Sequence, residues 1–254
     1  MGKTIAIVNQ KGGVGKTTTA INLAASLAAM EKSVLLIDCD PQANATSGLN
    51  IVPDEKHNIY RALYAAETAP QMIYPSLNAY LMVLPSLPDL AAADEEPKKK
   101  MAREFFLQDV VQQISSEFEF ILLDCPPSLG LLTINALCAA DRLLIPLQCE
   151  YYALEGITHL MHSFERVRKR LNPQLQLLGV VLTMFDKRNK LAHQVEHEVR
   201  NFFGNKVFRT IIPRNVRLSE APSHGLPVIA YDYKSKGSQA YLQLGQEFVQ
   251  WVRD

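Results

Sequence analysis

The chain has 254 residues, 48% of them hydrophobic, and its 26 basic side chains balance its 26 acidic ones. A neutral chain of this length can bury a substantial core as a single domain spanning residues 1–254, but it has no overall field that would attract DNA or a membrane, so such binding needs a local patch. No apolar run approaches the roughly 18 residues of a membrane span, and no basic stretch with an apolar core opens the chain as a secretion signal does.

The first two predicted elements are a strand over residues 4–8 and a helix over residues 20–30, and the segment between them, residues 9–18, has the composition of a phosphate-binding loop. Its three glycines allow successive backbone N–H groups to turn inward around a polyphosphate. Lys16 can place a positive charge on the β- and γ-phosphates, and Thr17 can offer its hydroxyl to Mg²⁺. The predicted ligand is therefore a nucleoside triphosphate.

This loop departs from the common G-x-x-x-x-G-K-[ST] pattern, because Gln10 stands at the first glycine position and Lys11 is an additional lysine. A dinucleotide fingerprint fits less well, since Thr18 stands where glycine or alanine is required. From the residues alone, Lys11 is either a phosphate ligand or a solvated loop lysine.

The run from Lys11 to Thr17 resembles the deviant phosphate loop of the ParA/MinD ATPases. In that family the extra lysine reaches across a nucleotide-sandwich dimer to the phosphates of the partner. The resemblance, and not the spacing, implies a homodimer in the ATP state, with catalytic roles for Lys11 and Lys16. It also implies that ATP is bound by Lys11, Gly12, Gly13, Val14, Gly15, Lys16, Thr17 and Thr18.

The second predicted strand, residues 33–37, leads into two carboxylates, Asp38 and Asp40. Open α/β sheets bind ligands at the carboxyl ends of their strands, where a carboxylate can orient an attacking water or hold Mg²⁺ through water. The segment resembles the second ATPase motif of the same family, which assigns the catalytic role to Asp40. Asp38 is expected to accept hydrogen bonds from loop amides.

Residues 51–100 are predicted to form an irregular surface insertion, although residues 80–85 read as a strand. Prolines, alanines and a switch from acidic to basic residues interrupt the pattern here. Lys98, Lys99 and Lys100 are either DNA contacts or, as we favour, the solvated start of a helix over residues 101–115.

The next apolar strand, residues 118–123, ends in Asp124, as a Walker B strand does. Mg²⁺ usually keeps several of its waters, so Asp124 is expected to reach it through water, while Thr17 is the direct ligand. The alternative role for Asp124 is an N-cap for the helix near Leu131.

The remaining elements are strands over residues 142–147, 177–184 and 207–211 and helices over residues 153–171 and 191–203. The alternation of buried strands with amphipathic helices predicts an α/β fold with a doubly wound, mostly parallel sheet flanked by helices, as in P-loop NTPases. Glu150 follows a strand and is predicted to contact the ribose or the dimer partner. By the family resemblance, Pro213 and Asn215 frame the adenine base.

Four cysteines, without C-x-x-C spacing, are predicted to be reduced and mostly buried, which fits a cytoplasmic protein. The basic residues that could contact DNA lie after the predicted strands over residues 177–184 and 207–211. In the family, the arginines matching Arg188 and Arg217 are linked to non-specific DNA binding. Lys187 is a further candidate. Without the resemblance, these are solvated surface charges.

The last fourteen residues carry an apolar stripe of Leu244, Phe248, Trp251 and Val252, but their polar side is mostly glutamine. A membrane-surface helix, such as that of MinD-like relatives, needs lysine and arginine there, so packing on the sheet is predicted and no membrane partner is expected.

The resemblance to short chromosomal ParA proteins, also called Soj, covers nearly the whole chain. It implies a slow ATPase that uses ATP and Mg²⁺, associates with the nucleoid, and drives chromosome or plasmid partitioning with a ParB-type DNA-binding partner. The alternatives are a MinD-like membrane-cycling ATPase and a regulator of a replication initiator.

Overall fold

The computed structural model describes residues 2–95, 102–150 and 153–253, which form a seven-stranded sheet with helices on both faces. The strands follow the order β3-β4-β2-β5-β1-β6-β7, and all neighbouring pairs are parallel except β3 with β4. They are β1 (Lys3–Ile7), β2 (Val34–Asp38), β3 (Tyr74–Pro75), β4 (Leu81–Leu84), β5 (Phe120–Asp124), β6 (Arg142–Gln148) and β7 (Gln176–Thr183).

The helices connect these strands across both faces of the sheet, as right-handed crossovers between parallel strands require. They are α1 (Lys16–Ala28), α2 (Asn44–Ser47), α3 (Ile59–Tyr64), α4 (Ala92–Glu95), α5 (Phe106–Ile114), α6 (Leu131–Ala139), α7 (Ala153–Arg170), α8 (Lys190–Phe203), α9 (Val216–Glu220), α10 (Val228–Tyr231) and α11 (Lys236–Arg253). The predicted doubly wound α/β fold is confirmed.

Two separate apolar clusters show how the strand sequence builds this fold. Successive side chains of β1 point to opposite faces, so Ile5 and Ile7 pack with α1 and α11, whereas Ala6 packs with α5 to α8. A strand that is buried on both faces has to be apolar at nearly every position, and this explains its uninterrupted hydrophobic sequence.

The prediction of a strand over residues 207–211 is wrong. Isolated bridges, Val180 to Val207 and Phe185 to Pro213, and backbone hydrogen bonds from Phe208 and Ile212 to β7 join residues 207–213 to the sheet without forming a continuous ladder. The backbone N–H groups of Arg209 and Thr210 donate instead to the carboxylate of Glu247 on α11, at 2.7 and 2.9 Å. The Glu247 side chain thus accepts hydrogen bonds from backbone N–H groups of the segment that was predicted to be a strand.

The segment predicted as a surface insertion supplies part of the core where the structure describes it, up to residue 95. It contributes the edge strand β3 and its neighbour β4, and the side chains of Ile59, Met72 and Leu90 are buried in the same cluster as α5. Alanine and proline interrupt the helical periodicity, but they do not prevent burial. Lys98, Lys99 and Lys100 lie outside the described residues, and the helix predicted from residue 101 begins with a 3₁₀ turn over Arg103–Phe105.

The C-terminal helix α11 packs on α1 and on the sheet, as its glutamine-rich polar side predicted. Leu244 and Phe248 are fully buried, and the Phe248 ring meets the Phe120 ring edge-on at 5.5 Å between centroids. The Tyr241 hydroxyl lies 3.1 Å from the Thr19 hydroxyl on α1. None of the helices in the described ranges combines the length and apolar character that crossing a membrane requires.

Candidate functional site

The carboxyl ends of β1, β2 and β5 meet at one edge of the sheet and bring the predicted site residues together. Asp124 at the end of β5 is in register with Ile7 of β1 and with Asp38 of β2. The loop from β1 to α1 leaves the sheet at this point. Because β1 lies between β5 and β6, the loop occupies the crevice in which open α/β sheets bind their ligands.

The phosphate loop, residues 9–18, is held in a curved backbone conformation. Gly13 and Gly15 have φ angles of +73° and +86°, a region that strains any residue with a side chain. The Thr183 hydroxyl at the end of β7 donates to the carbonyl of Val14 at 2.8 Å, and the Asn9 amide donates to the carbonyl of Pro146 on β6 at 2.8 Å. Sequence reasoning missed Thr183 and Asn9, since neither belongs to the glycine-lysine motif.

Lys16 opens α1 and turns its side chain back over the loop. Its ammonium donates to the carbonyl of Lys11 at 3.2 Å, and the residue is only 6% exposed. Burial lowers the pKa of Lys16 below its usual value, and the nearby charge of Asp124 opposes that shift. A largely dehydrated cation beside inward-turned N–H groups is suited to bind phosphate oxygens.

Asp38 is a structural carboxylate, as expected. It is fully buried and accepts hydrogen bonds from the backbone N–H of Asp40 at 3.1 Å, and from the N–H and hydroxyl of Thr46 at 2.8 and 2.7 Å. Burial raises the pKa of Asp38 to about 6, and these hydrogen bonds oppose the shift. The residue ties the loop after β2 to α2.

Asp40 lies on the wall of the cleft next to the phosphate loop. One of its carboxylate oxygens accepts the backbone N–H of Gln42 at 2.9 Å, which fixes the direction of the side chain. Gln42, Lys16 and Thr17 line the same cleft.

Asp124 is fully buried, and neither carboxylate oxygen has a hydrogen-bond partner of standard geometry among the described residues. Burial first, and the charge of Asp38 second, raise the pKa of Asp124 well above its usual value. The alternative role as an N-cap is wrong, because Gly130 is the N-cap of α6 and no side chain caps that end.

The donor set fits the predicted Mg²⁺. The two unpartnered oxygens of Asp124 are hard ligands, and the Thr17 hydroxyl lies near enough to lower the pKa of that carboxyl. In the described ranges no group of three or more His, Cys, Asp and Glu side chains forms a protein-only metal site. Mg²⁺ usually binds proteins through one or two oxygen ligands and keeps several of its waters, so Thr17 and Asp124 are compatible with it.

A cleft of about 640 Å³ lies over the phosphate loop. The predicted site residues that line it are Gly12, Gly13, Gly15, Lys16, Thr17, Thr18, Asp40, Pro213 and Asn215. Met184, Arg214 and Tyr241 also line it and were not predicted. Val14 and Asp124 are buried behind the cleft wall. The Asn215 side-chain oxygen caps α9 by accepting the Arg217 N–H at 3.0 Å, which leaves its amide nitrogen to donate elsewhere.

Lys11 and Glu150, both predicted to contact the nucleotide, have partly exposed side chains and lie outside this cleft. Their side chains form an ion pair of 2.5 Å, with 44% and 47% of each side chain exposed. Gln148, at the end of β6, donates to the other carboxylate oxygen of Glu150. The extra lysine of the loop is thus turned away from the cleft that Lys16 faces.

The fold brings the basic loops after β7 and before α9 together. The N–H of Arg214 donates to the carbonyl of Phe185 at 3.1 Å, which places Arg188 and Lys187 next to that loop. Arg188 forms a two-pronged pair with Asp186 at 3.1 and 3.0 Å, although its side chain is 90% exposed. The pairing with Arg188 lowers the pKa of Asp186 to about 2. Arg217 contacts the carboxylates of Glu220 at 2.7 Å and Asp232 at 3.3 Å.

All four cysteines, Cys39, Cys125, Cys138 and Cys149, are unpaired and buried, as predicted. Burial raises the pKa of each thiol, which disfavours the thiolate form that reacts as a nucleophile.

Comparison with known proteins agrees with this geometry. A family model described as an AAA domain matches residues 2–177. The chromosome partitioning protein ParA of Myxococcus xanthus is 54% identical over 250 residues, which cover 98% of this chain and 88% of that protein. The sporulation initiation inhibitor protein Soj of Bacillus subtilis is 50% identical over 248 residues, 97% of this chain and 98% of that protein.

Among solved structures, cobyrinic acid a,c-diamide synthase from Mycobacterium smegmatis with bound ADP and magnesium superimposes with a TM-score of 0.87 at 30% identity, covering 100% of this chain and 96% of that one. The glycine-lysine loop, the strand-end aspartates and the extent of these matches lead to one conclusion: the chain belongs to the ParA/Soj family of P-loop ATPases with a deviant phosphate loop.

Proposed function

We propose that this chain is an ATP-dependent dimerising switch that binds DNA without sequence preference, hydrolyses ATP slowly, and partitions chromosomal or plasmid DNA with a ParB-type partner. The observation that carries the proposal is the buried, unpartnered carboxylate of Asp124 directly behind a two-lysine phosphate loop. Burying a carboxylate without hydrogen bonds of standard geometry costs stability even with Lys16 nearby, so such a group points to a role in binding. The names of the two ParA/Soj relatives support the partitioning role.

The phosphate groups of ATP would lie in the curve of residues 12–18, where Gly12, Gly13, Val14, Gly15 and Thr18 offer backbone N–H groups. Lys16 contributes its dehydrated ammonium. Pro213 and Asn215, on the opposite wall of the cleft, would border the base, and the free amide nitrogen of Asn215 can donate to a ring nitrogen of adenine.

Thr17 would hold Mg²⁺ directly, with Asp124 and Asp40 reaching the ion through water. Bound there, the ion neutralises charge that develops on the phosphates during transfer. Asp40 is fixed by the Gln42 N–H, and in this proposal it orients the attacking water with its remaining lone pairs. Lys11 would cross to the phosphates of a second copy, so that ATP is enclosed between two subunits.

Dimerisation would double the basic surface that Lys187, Arg188 and Arg217 form in one copy. Binding to DNA phosphates then depends on the ATP state, because this surface has only three candidate cations in one copy and the chain has no net positive charge. A ParB-type partner would accelerate hydrolysis, and release from DNA would follow. We propose that the protein is cytoplasmic and associated with the nucleoid.

The test is salt-titrated binding to non-specific duplex DNA with ADP, with ATP, and with ATP and the Asp40→Ala variant, with light scattering to follow dimerisation. We expect dimers and DNA binding only with ATP, tightest in the variant, with affinity falling steeply as salt rises. Asp109→Ala, which removes an exposed carboxylate from α5, is the control and should behave as wild type. ATP-dependent dimers that ignore DNA would overturn the proposal, and liposome pelleting would then test the membrane-cycling alternative.

A further inference from the structure

The extra lysine of the phosphate loop is held inside its own subunit through both its backbone and its side chain. Its ammonium pairs with Glu150 at 2.5 Å, and its carbonyl accepts the ammonium of Lys16 at 3.2 Å. Glu150 is itself fixed, because it directly follows β6 and accepts a hydrogen bond from the Gln148 side chain. One residue of the loop is thus restrained at both its backbone and its side chain.

Bound phosphate would compete for one of these contacts directly. The cation of Lys16 can neutralise a phosphate oxygen, and when it does so its bond to the Lys11 carbonyl is exchanged for a stronger charge-assisted one. The Lys11 carbonyl then loses this restraint, although the Lys11 N–H still donates to the Asn9 side-chain oxygen at 3.0 Å. The pair with Glu150 is the remaining contact that keeps the Lys11 side chain within its own subunit.

We propose that Glu150 is a positioning residue that retains Lys11 in its own subunit and thereby sets how strongly dimerisation depends on ATP. The inference rests on the proposed function, in which Lys11 contacts the phosphates of a second copy. A triphosphate carries more negative charge than a diphosphate, so it draws Lys11 away from a single carboxylate more effectively. With ADP the ion pair persists and the chain stays monomeric.

The size of the effect follows from the exposure of the pair. Both side chains are almost half exposed, so each pair contributes a factor of about 1.4 to 5 to an equilibrium constant. A dimer requires two such pairs to open. Removing the carboxylate is therefore expected to strengthen dimerisation by about two- to thirty-fold, and this gain should shrink in high salt because salt screens exposed pairs.

The experiment compares dimer dissociation constants of wild type and Glu150→Gln by sedimentation, with ADP and with a non-hydrolysable ATP analogue. We expect tighter dimers for the variant with the analogue, and dimers with ADP at concentrations where wild type is monomeric. Glu150→Asp keeps the charge and should restore most of the wild-type behaviour. Glu119→Gln is the matched control, since it removes a similarly exposed carboxylate that pairs with Lys32 at 3.0 Å away from the loop.

A second readout tests the contact without dimerisation. In nucleotide-free protein, Glu150→Gln should increase the rate at which an amine-reactive reagent labels Lys11, measured by mass spectrometry of the Lys11 peptide, with Lys32 as internal reference. Equal labelling in wild type and variant, or weaker dimerisation of the variant with the analogue, overturns the inference. A wild-type chain that labels as expected but stays monomeric with the analogue overturns the proposed function instead.

Discussion

At the scale of single residues, the most unusual group is the carboxylate of Asp124. It is fully buried, has no hydrogen-bond partner of standard geometry among the described residues, and lies next to Asp38, which is itself buried. Lys16 offsets only part of this charge, because burial also lowers the pKa of that lysine and so disfavours its protonated form. The arrangement costs stability in the absence of a cation, and such costs are typical of functional sites.

Replacing Asp124 by Asn should therefore stabilise the metal-free, nucleotide-free protein by about 1–3 kcal/mol at pH 7, while Mg²⁺-dependent nucleotide binding is lost. The pKa of Asp124 is raised in the folded protein, so the wild type loses stability relative to the variant as pH rises above about 4. Urea unfolding of both proteins at pH 4 and pH 7 measures this. A variant that is no more stable than wild type at pH 7 would contradict the cost assigned to this group.

Thr183 makes a more local contribution, since its hydroxyl fixes the Val14 carbonyl. Thr183→Val keeps the shape of the side chain and removes that hydrogen bond, and it should weaken ATP binding by about fivefold because the loop is less well ordered before binding. Calorimetric titration with the ATP analogue gives the affinity. Thr68→Val, which removes a hydroxyl bond to Ala65 elsewhere in the chain, is the control and should leave that affinity unchanged.

At the scale of elements, α11 joins the core to the nucleotide cleft. Phe248 is fully buried against Phe120 of β5. Two helical turns earlier, Tyr241 both contacts Thr19 and lines the cleft. Loosening the helix would therefore move a residue of the cleft wall as well as remove apolar contacts.

Phe248→Ala should lower the free energy of unfolding by about 3–5 kcal/mol, because it leaves a cavity between α11 and the sheet. ATP affinity should fall with it, through displacement of Tyr241. Chemical unfolding and nucleotide titration of the same variant provide the two numbers. Phe202→Ala serves as the comparison, since Phe202 is 62% exposed on α8 and its loss should cost little.

At the scale of the whole molecule, the proposed DNA surface uses arginines that are already paired with carboxylates, Arg188 in the loop after β7 and Arg217 in α9. Arg188→Ala and Arg217→Ala should each weaken binding equally for all DNA sequences. The logarithm of the binding constant falls linearly with the logarithm of the salt concentration. Each substitution should reduce the steepness of this line by about one unit for every DNA phosphate that the arginine no longer neutralises, hence by about two in a dimer. Salt titrations of the ATP-bound dimer measure the slope. Arg168→Ala removes an arginine of α7 that is paired in the same way with Glu165, and an equal effect there would contradict the assignment of the surface.

The sequence predicted those parts of the molecule whose contacts follow from a local sequence pattern. The buried strands, the glycine-lysine loop and Asp38 belong to this group, because apolar runs and strand-end carboxylates have few alternative placements. The irregular conformation of residues 207–211 was not predictable, since it depends on hydrogen bonds to Glu247, on a helix about forty residues later. The same is true of Thr183, whose role depends on its contact with Val14 across the sheet. Long-range contacts of single polar side chains leave no periodic signal.

The position of the single tryptophan has a practical consequence for experiments in solution. Trp251 on α11 stacks on Phe208 with ring centroids 4.0 Å apart, and a side chain at Gly179 would collide with it. Gly179 and Thr183 are four residues apart on β7, so the indole lies roughly 13 Å from the cleft along the strand. The intrinsic fluorescence of Trp251 therefore reports the docking of α11 without a label. During refolding, this signal can be followed separately from nucleotide binding in the cleft.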